Sequence, residues 1–302
     1  MSAAPPLSAR GGPTARPERR FSFAWLGVVP FVLFAVLFLI APTIYLATNS
    51  FRDLAGSVRS NPDYGNPTLG NYAHLSTPNI VDAYGASLEI SLVTAIAGGI
   101  FGFLLAYAVI AGGLPRPLRS ALMTFSGVAS NFAGVPLALA FTFTLGVSGI
   151  LTPFIQAAGL HINLYSKTAL ELAYMYFQFP LMVLIIAPAI DGLRKDWREA
   201  AENMGASTYQ YWRHVALPIL TPSLLGSVIL LFGNAFGAQA TAAELTGSSI
   251  NIVTIQITRQ LRGDVANDEG VGYAMAMGMV VIMAISIAAY SWLQRRSERW
   301  LR

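Results

Sequence analysis

Side chains able to do covalent chemistry are sparse and scattered in this 302-residue sequence. It has no cysteine, which removes disulfides, thiolate metal ligands and thiol catalysis. His74, His161 and His214 lie far apart, without the short spacing of a metal site. No serine, histidine and carboxylate fall on one face as a nucleophilic set. No Gly-x-x-x-x-Gly-Lys-Ser/Thr loop is present to cradle a nucleotide phosphate. The expectation is a chain that is not an enzyme, with no metal, no directly bound cofactor and no nucleic-acid partner.

The densest group of polar and aromatic residues is a 31-residue stretch between Asp191 and Thr221. Its pattern predicts two short helices joined by a hinge. Asp196 followed by Glu199, and Ser207 followed by Gln210, fit capping boxes. Gly205 stands where a helix ends in a left-handed residue, and Pro218 marks where the next helix stops or kinks. Trp197, Ala200, Ala201 and Met204 recur at helical spacing, giving an apolar face that is shallow at the alanines. Such a face suits a groove on a partner protein.

This stretch resembles the Glu-Ala-Ala (EAA) motif of ABC importer permeases, the MetI-like inner-membrane components of binding-protein-dependent transport systems. The family pattern is Glu-Ala-Ala, three residues, Gly, nine residues, an aliphatic residue, one residue, then Leu-Pro. Glu199, Ala200, Ala201, Gly205, Val215, Leu217 and Pro218 fill it, with valine where isoleucine is usual. The resemblance implies a coupling helix that docks into a cleft of an ATP-hydrolysing subunit. By that analogy Glu199 pairs with a basic group on the ATPase, the alanines permit close approach, and Gly205 makes the turn. Two further stretches, Asn66-Pro-Thr-Leu-Gly-Asn-Tyr and Tyr176-Phe-Gln-Phe-Pro-Leu-Met-Val-Leu, resemble permeases of the spermidine/putrescine, iron and thiamine group.

The elements that would position this loop follow from composition. The chain is 54% hydrophobic and 11% charged, whereas soluble domains carry about 25% charged residues. Its natural solvent is lipid. Residues 1–22, rich in Pro, Ala, Gly and Arg, read as a disordered tail. Six apolar runs follow, at Ala24–Thr48, Ser87–Ala111, Arg119–Val147, Thr168–Ile190, Pro222–Ala243 and Gly272–Leu293. Each is long enough to cross a bilayer, which takes about 20 helical residues. Gly134 and Pro136 predict a kink or break in the third run, and Gly233, Asn234, Gly237 and Gln239 interrupt the fifth. The fold class expected is all-α, a polytopic permease domain over 23–294 with its coupling loop at 191–221 and a basic C-terminus at 295–302.

With the N-terminus cytoplasmic, fourteen lysines and arginines face inward and five outward, as the positive-inside rule requires. Topology thus explains the basic clusters without anionic-lipid or nucleic-acid binding. Both termini and the coupling loop are then cytoplasmic, and the chain belongs in a bacterial inner (plasma) membrane.

Ionisable and amide groups within the runs are candidates for the solute path. Glu89, Glu171 and Glu244 fall near outer ends, while Asn131, Gln178, Asn234 and Gln239 lie deeper. Three outer carboxylates would attract a cation. Together with the subgroup resemblance they point to a polyamine or another small cationic solute; iron, thiamine, phosphonate and sugar are the alternatives. The small-residue pairs Gly98/Gly102 and Gly233/Gly237 predict close helix packing within the subunit. The resemblance implies alternating access, two ABC ATPase subunits using ATP and Mg, a second permease (a homologue or a copy), a solute-binding protein and surrounding membrane lipid. The rivals are an ion-coupled secondary transporter, which usually shows internal repeats not found here, and a membrane scaffold.

Overall fold

A computed structural model describes residues 27–56, 61–159, 161, 163–247, 249–262 and 268–298. The tail at 1–22 and residues 299–302 lie outside them. The described residues are mostly helical, with two isolated β-bridges, Arg52 with Pro67 and Ala55 with Asp268. The chain divides into two units, residues 1–45 and 46–302.

The helices in chain order are α1 Val29–Ser50, α2 Gly70–His74, α3 Pro78–Ala111, α4 Arg116–Asn131, α5 Val135–Leu145 and α6 Thr152–Ala157. After these come α7 Lys167–Asp191, α8 Lys195–Asn203, α9 Thr208–Gly237, α10 Ala240–Thr246, α11 Val253–Arg262 and α12 Glu269–Glu298. Five of them (α1, α3, α7, α9 and α12) are long and apolar enough to cross a membrane, and the bent pair α4–α5 makes a sixth crossing if counted as one.

Prolines are absorbed in two ways. In α1 a π-turn at Val36–Ile40 precedes Pro42. In α9 another, at Trp212–Ala216, precedes Pro218. A proline ring clashes with the carbonyl four residues back; Phe38 and His214, which carry those carbonyls, both lie in the widened turns. Of the stop or kink expected at Pro218, the stop does not occur: the irregularity is the widened turn before it, and the helix runs on to Gly237. In α7, Pro180 and Pro188 sit inside an α-helix.

The third crossing breaks as the sequence predicts. Gly134 takes φ 72° and ψ −147°, a region essentially confined to glycine, and α4 and α5 diverge by 100°. The fifth crossing departs from its predicted Pro222–Ala243 span. Its helix ends at Gly237, Ala238 turns extended, and α10 restarts at Ala240. The break falls within the interruption that Gly233, Asn234, Gly237 and Gln239 mark in the sequence, while hydropathy alone continues across it.

Without a hydrophobic driving force between lipid-embedded helices, close packing holds them together. The largest interface joins α3 to α7. A Cβ at Gly98 would lie 2.9 Å from Gln178 Cβ, and one at Gly102 would lie 2.5 Å from Met182 Cβ and 2.9 Å from the Phe179 carbonyl. These glycines let the two backbones meet inside the subunit, as expected. Gly233 likewise packs on Met283, whereas Gly237 has open space.

One end of the 46–302 unit gathers the C-terminus of α3, the start of α4, the end of α7 and the whole α8–α9 turn. There Arg119 Nη2 lies 2.8 Å from both carboxylate oxygens of Asp191. The other end gathers Asn79, Glu89, Tyr165, Lys167 and Asn251. Asn251 Nδ2 donates to Asn79 at 2.8 and 2.9 Å, and Lys167 pairs with Glu89.

Candidate functional site

The α8–α9 turn, hereafter the lever, is a helix–turn–helix whose local geometry follows from the sequence. Helix α8 ends in a Schellman arrangement. Gly205 N–H donates to the Glu202 carbonyl at 2.9 Å and Ala206 N–H to the Ala201 carbonyl at 3.0 Å, with Gly205 left-handed at φ 80°. Helix α9 opens on the predicted capping box. Ser207 N–H donates to Gln210 Oε1 at 2.7 Å, and Gln210 N–H donates to Ser207 Oγ at 3.3 Å.

The other predicted capping box, Asp196 with Glu199, is not formed. The helix starts two residues earlier, with Arg194 as its cap and no side-chain capping bond. Asp196 is drawn into an ion pair with Arg194 at 2.5 Å, and as a first-turn carboxylate it still complements the helix dipole. Arg198 Nε donates to Glu202 Oε1 at 2.9 Å, a hydrogen bond that holds the guanidinium above its already high range.

The turn divides its residues between two jobs. Ala201 is 5% exposed and packs with buried Tyr211 and Ala216, flanked by Val215, Ala206 and Trp212. Close approach at Ala201 is thus to the chain's own second helix. Trp212 meets Tyr107 edge-on, with ring centroids 4.9 Å apart, and Phe103 at 6.4 Å; this pins the lever to α3. The outward side carries Met204, 80% exposed, Trp197, 38%, and Tyr209, 68%, with Glu199 and Ala200 also exposed. Among the described residues Glu199 has no ion-pair partner. Leu217 is 41% exposed, and Pro218 is half-buried at the start of the membrane-length segment. Tyr209 and the Tyr107–Trp212 contact were not singled out from sequence. The contact spans more than a hundred residues and leaves no local signal.

The seven path candidates do not form one site. Glu89 is paired with Lys167. Glu171 lies one turn beyond Lys167 and is half-buried, while Glu244 is exposed. Asn131 and Asn234 are exposed, and Asn131 Nδ2 donates to the Gly127 carbonyl at 2.8 Å. Gln178 is fully buried among helices. Its Nε2 donates to the Leu231 carbonyl at 2.9 Å, its Oε1 has no hydrogen-bond partner, and it lines no open path in this conformation. Gln239 Nε2 donates to Thr258 Oγ1, which helps hold the break before α10. A cavity of about 500 Å³ lies beside the C-terminus of α5, lined by hydroxyl and amide groups including Thr142, Ser148, Thr152, Gln156 and Asn163.

A family description fits this arrangement. Residues 98–299 match the model of the binding-protein-dependent transport system inner membrane component. The chain belongs to that family. The match takes in the lever, both broken helices and the last crossing.

Family members with recognisable sequence include the sulfate transport system permease protein CysT of Salmonella typhimurium, 28% identical over 58% of this chain and 62% of that protein. The chain thus spans about three fifths of that relative. The spermidine/putrescine permease PotB of Haemophilus influenzae is 26% identical over 89% of this chain and 90% of its own length. In fold, the chain is similar to a bacterial ABC transporter involved in alginate import. The TM-score is 0.69 at 17% identity, covering 90% of this chain and 95% of that one.

Proposed function

We propose that the chain is the membrane-spanning permease subunit of an ATP-driven importer. The observation that carries the reading is the lever: a capped helix–turn–helix that matches the motif residue by residue. It is braced from behind by Trp212 on Tyr107 and presents Glu199, Met204 and Trp197 outward. A braced element with an exposed apolar face transmits force to the helices behind it when a partner grips that face. The permease performs no covalent chemistry; two ATPase subunits supply the energy from ATP and Mg. The pathway forms against a second permease subunit, and a solute-binding protein delivers cargo at the end opposite the lever, where the 500 Å³ cavity lies. Both termini and the lever face the cytoplasm.

The solute read from Glu171, Glu244 and the likeness to a spermidine/putrescine permease is a small cation of the polyamine kind. A second reading, an oxyanion, is favoured by the likeness to a sulfate permease and by Lys167, which neutralises Glu89. Uptake of labelled spermidine and labelled sulfate by cells expressing the full transporter separates the two. Purification of the tagged chain tests the larger reading. An ATP-hydrolysing subunit comes with it and is lost on Glu199→Lys; a chain that purifies without such a subunit is not an importer permease.

A further inference from the structure

The geometry points to a binding site for the phosphate headgroup of an anionic phospholipid, in a cleft behind the lever. The inference rests on the reading that this end meets the cytoplasm. The cleft encloses about 380 Å³ where the ends of α3 and α7 meet α4 and the lever. Its floor is apolar, with Ile110, Ile190 and Leu193; its rim carries Arg119, Arg194, Lys195 and Arg198, and Tyr107 and Tyr211 add phenols.

The rim has charge to spare. Arg119 touches Asp191 at 2.8 Å, Arg194 touches Asp196 at 2.5 Å and Arg198 touches Glu202 at 2.9 Å. Lys195 has no ion-pair partner among the described residues. Of the groups that line the cleft, four are cationic and one, Asp191, is anionic. A guanidinium has five N–H donors, so a single carboxylate leaves donors for phosphate oxygens. The pairs are solvent-exposed, and such pairs are weak and easily rearranged.

Two features favour a lipid over an acidic segment of the ATPase. Membrane-length helices end at the cleft, at Ala111 and Asp191, which sets it at headgroup depth. Trp212, Tyr107 and Tyr211 are the residue types that settle at that depth. The apolar floor also accepts the first methylenes of an acyl chain and offers nothing to an acidic peptide. Basic pockets between membrane helices on the cytoplasmic side suit anionic headgroups. Three rim cations belong to the lever or its approach and Arg119 to α4, so a bound headgroup would tie the lever to the bundle. Topology accounts for the number of these cations; it does not account for their convergence on one recess.

The test is retention of phosphatidylglycerol by the purified full chain in mixed micelles, counted by native mass spectrometry. A juxtamembrane cation contributes about fivefold in affinity for an anionic surface. The double variant Arg194→Gln/Lys195→Gln therefore binds phosphatidylglycerol about twenty-five-fold more weakly, while Arg213→Gln, on the same turn and outside the cleft, matches the wild type. Phosphatidylcholine shows no difference among the three. Equal retention by the double variant and the wild type overturns the inference. Displacement by millimolar inorganic phosphate overturns it in favour of a free-phosphate site. Complete displacement by added ATPase subunit overturns it in favour of a protein interface. Binding is read without transport, so failure here leaves the importer reading standing, and failure of co-purification leaves this measurement intact.

Discussion

The backbone N–H of Gly134 donates to Thr241 Oγ1 at 2.7 Å. This bond joins the breaks of two separate crossings, one between α4 and α5, the other between α9 and α10. A broken helix in a membrane is tolerated only where its freed backbone groups find partners in the protein. Thr241, 1% exposed, supplies one such partner, and the Tyr174 hydroxyl donates to the Ala238 carbonyl at the second break.

Replacing Thr241 by valine keeps the shape and removes the acceptor. An unsatisfied buried N–H costs about 1–3 kcal/mol. Thr241→Val is expected to be less stable in detergent by that amount and to melt lower, and Thr241→Ser to retain most of the wild-type stability. Melting of both variants against the wild type checks it.

Gln178 tests the opposite case. It makes one hydrogen bond to a helix carbonyl and leaves its own Oε1 unpaired. Gln178→Leu discards the orphaned oxygen along with the bond, so its stability should stay within about 1 kcal/mol of wild type. Gln178→Ala opens a cavity and should cost about 2–5 kcal/mol. Thermal melting of the pair distinguishes a packing role from a polar one.

Gly102 has no room for a methyl group, with Met182 Cβ 2.5 Å from a built Cβ, while Gly237 has nothing within 4 Å. Gly102→Ala should destabilise by about 1–3 kcal/mol through overpacking, and Gly237→Ala should be close to neutral. Expression level and melting of the two variants, side by side, measure the difference.

At Gly205 the constraint is conformational. A built Cβ meets nothing, yet φ is +80°, and an L-residue held there costs about 1–2 kcal/mol. Gly205→Ala should reshape the turn and lower ATP-coupled uptake more than it lowers the melting temperature. Parallel uptake and melting measurements expose that mismatch.

The parts legible in the sequence were those whose causes are local. Gly205 and the Ser207–Gln210 box are each fixed within four residues, and both stand in the structure as read. The break at Gly134 was visible because glycine followed by Val135-Pro136 is itself a local signal. The interruption of the fifth run was visible in Gly233, Asn234, Gly237 and Gln239, but its exact place at Ala238 was not, because it is held by Tyr174 and by Thr258, far away in sequence. The Asp196 box failed through a competitor at close range: Arg194 takes the carboxylate. The apolar stripe on α8 was read as one face, yet Ala201 turns inward on Tyr211 while Met204 turns out; which side of a short helix is covered depends on where the next helix lies. Gln178 looked like a path residue because amides in membranes are costly, and the chain meets that cost with the Leu231 carbonyl.

The orientation and partner of the lever are tested together by a single thiol. The chain has no native cysteine, so Met204→Cys, at the most exposed large apolar residue of the turn, is unique in the molecule. The account predicts no labelling of intact cells by a membrane-impermeant maleimide, labelling after permeabilisation, and a thiol cross-link to an ATPase subunit whose yield changes with ATP. Labelling from outside, or uptake that persists with no ATPase cross-linked at this position, would contradict it.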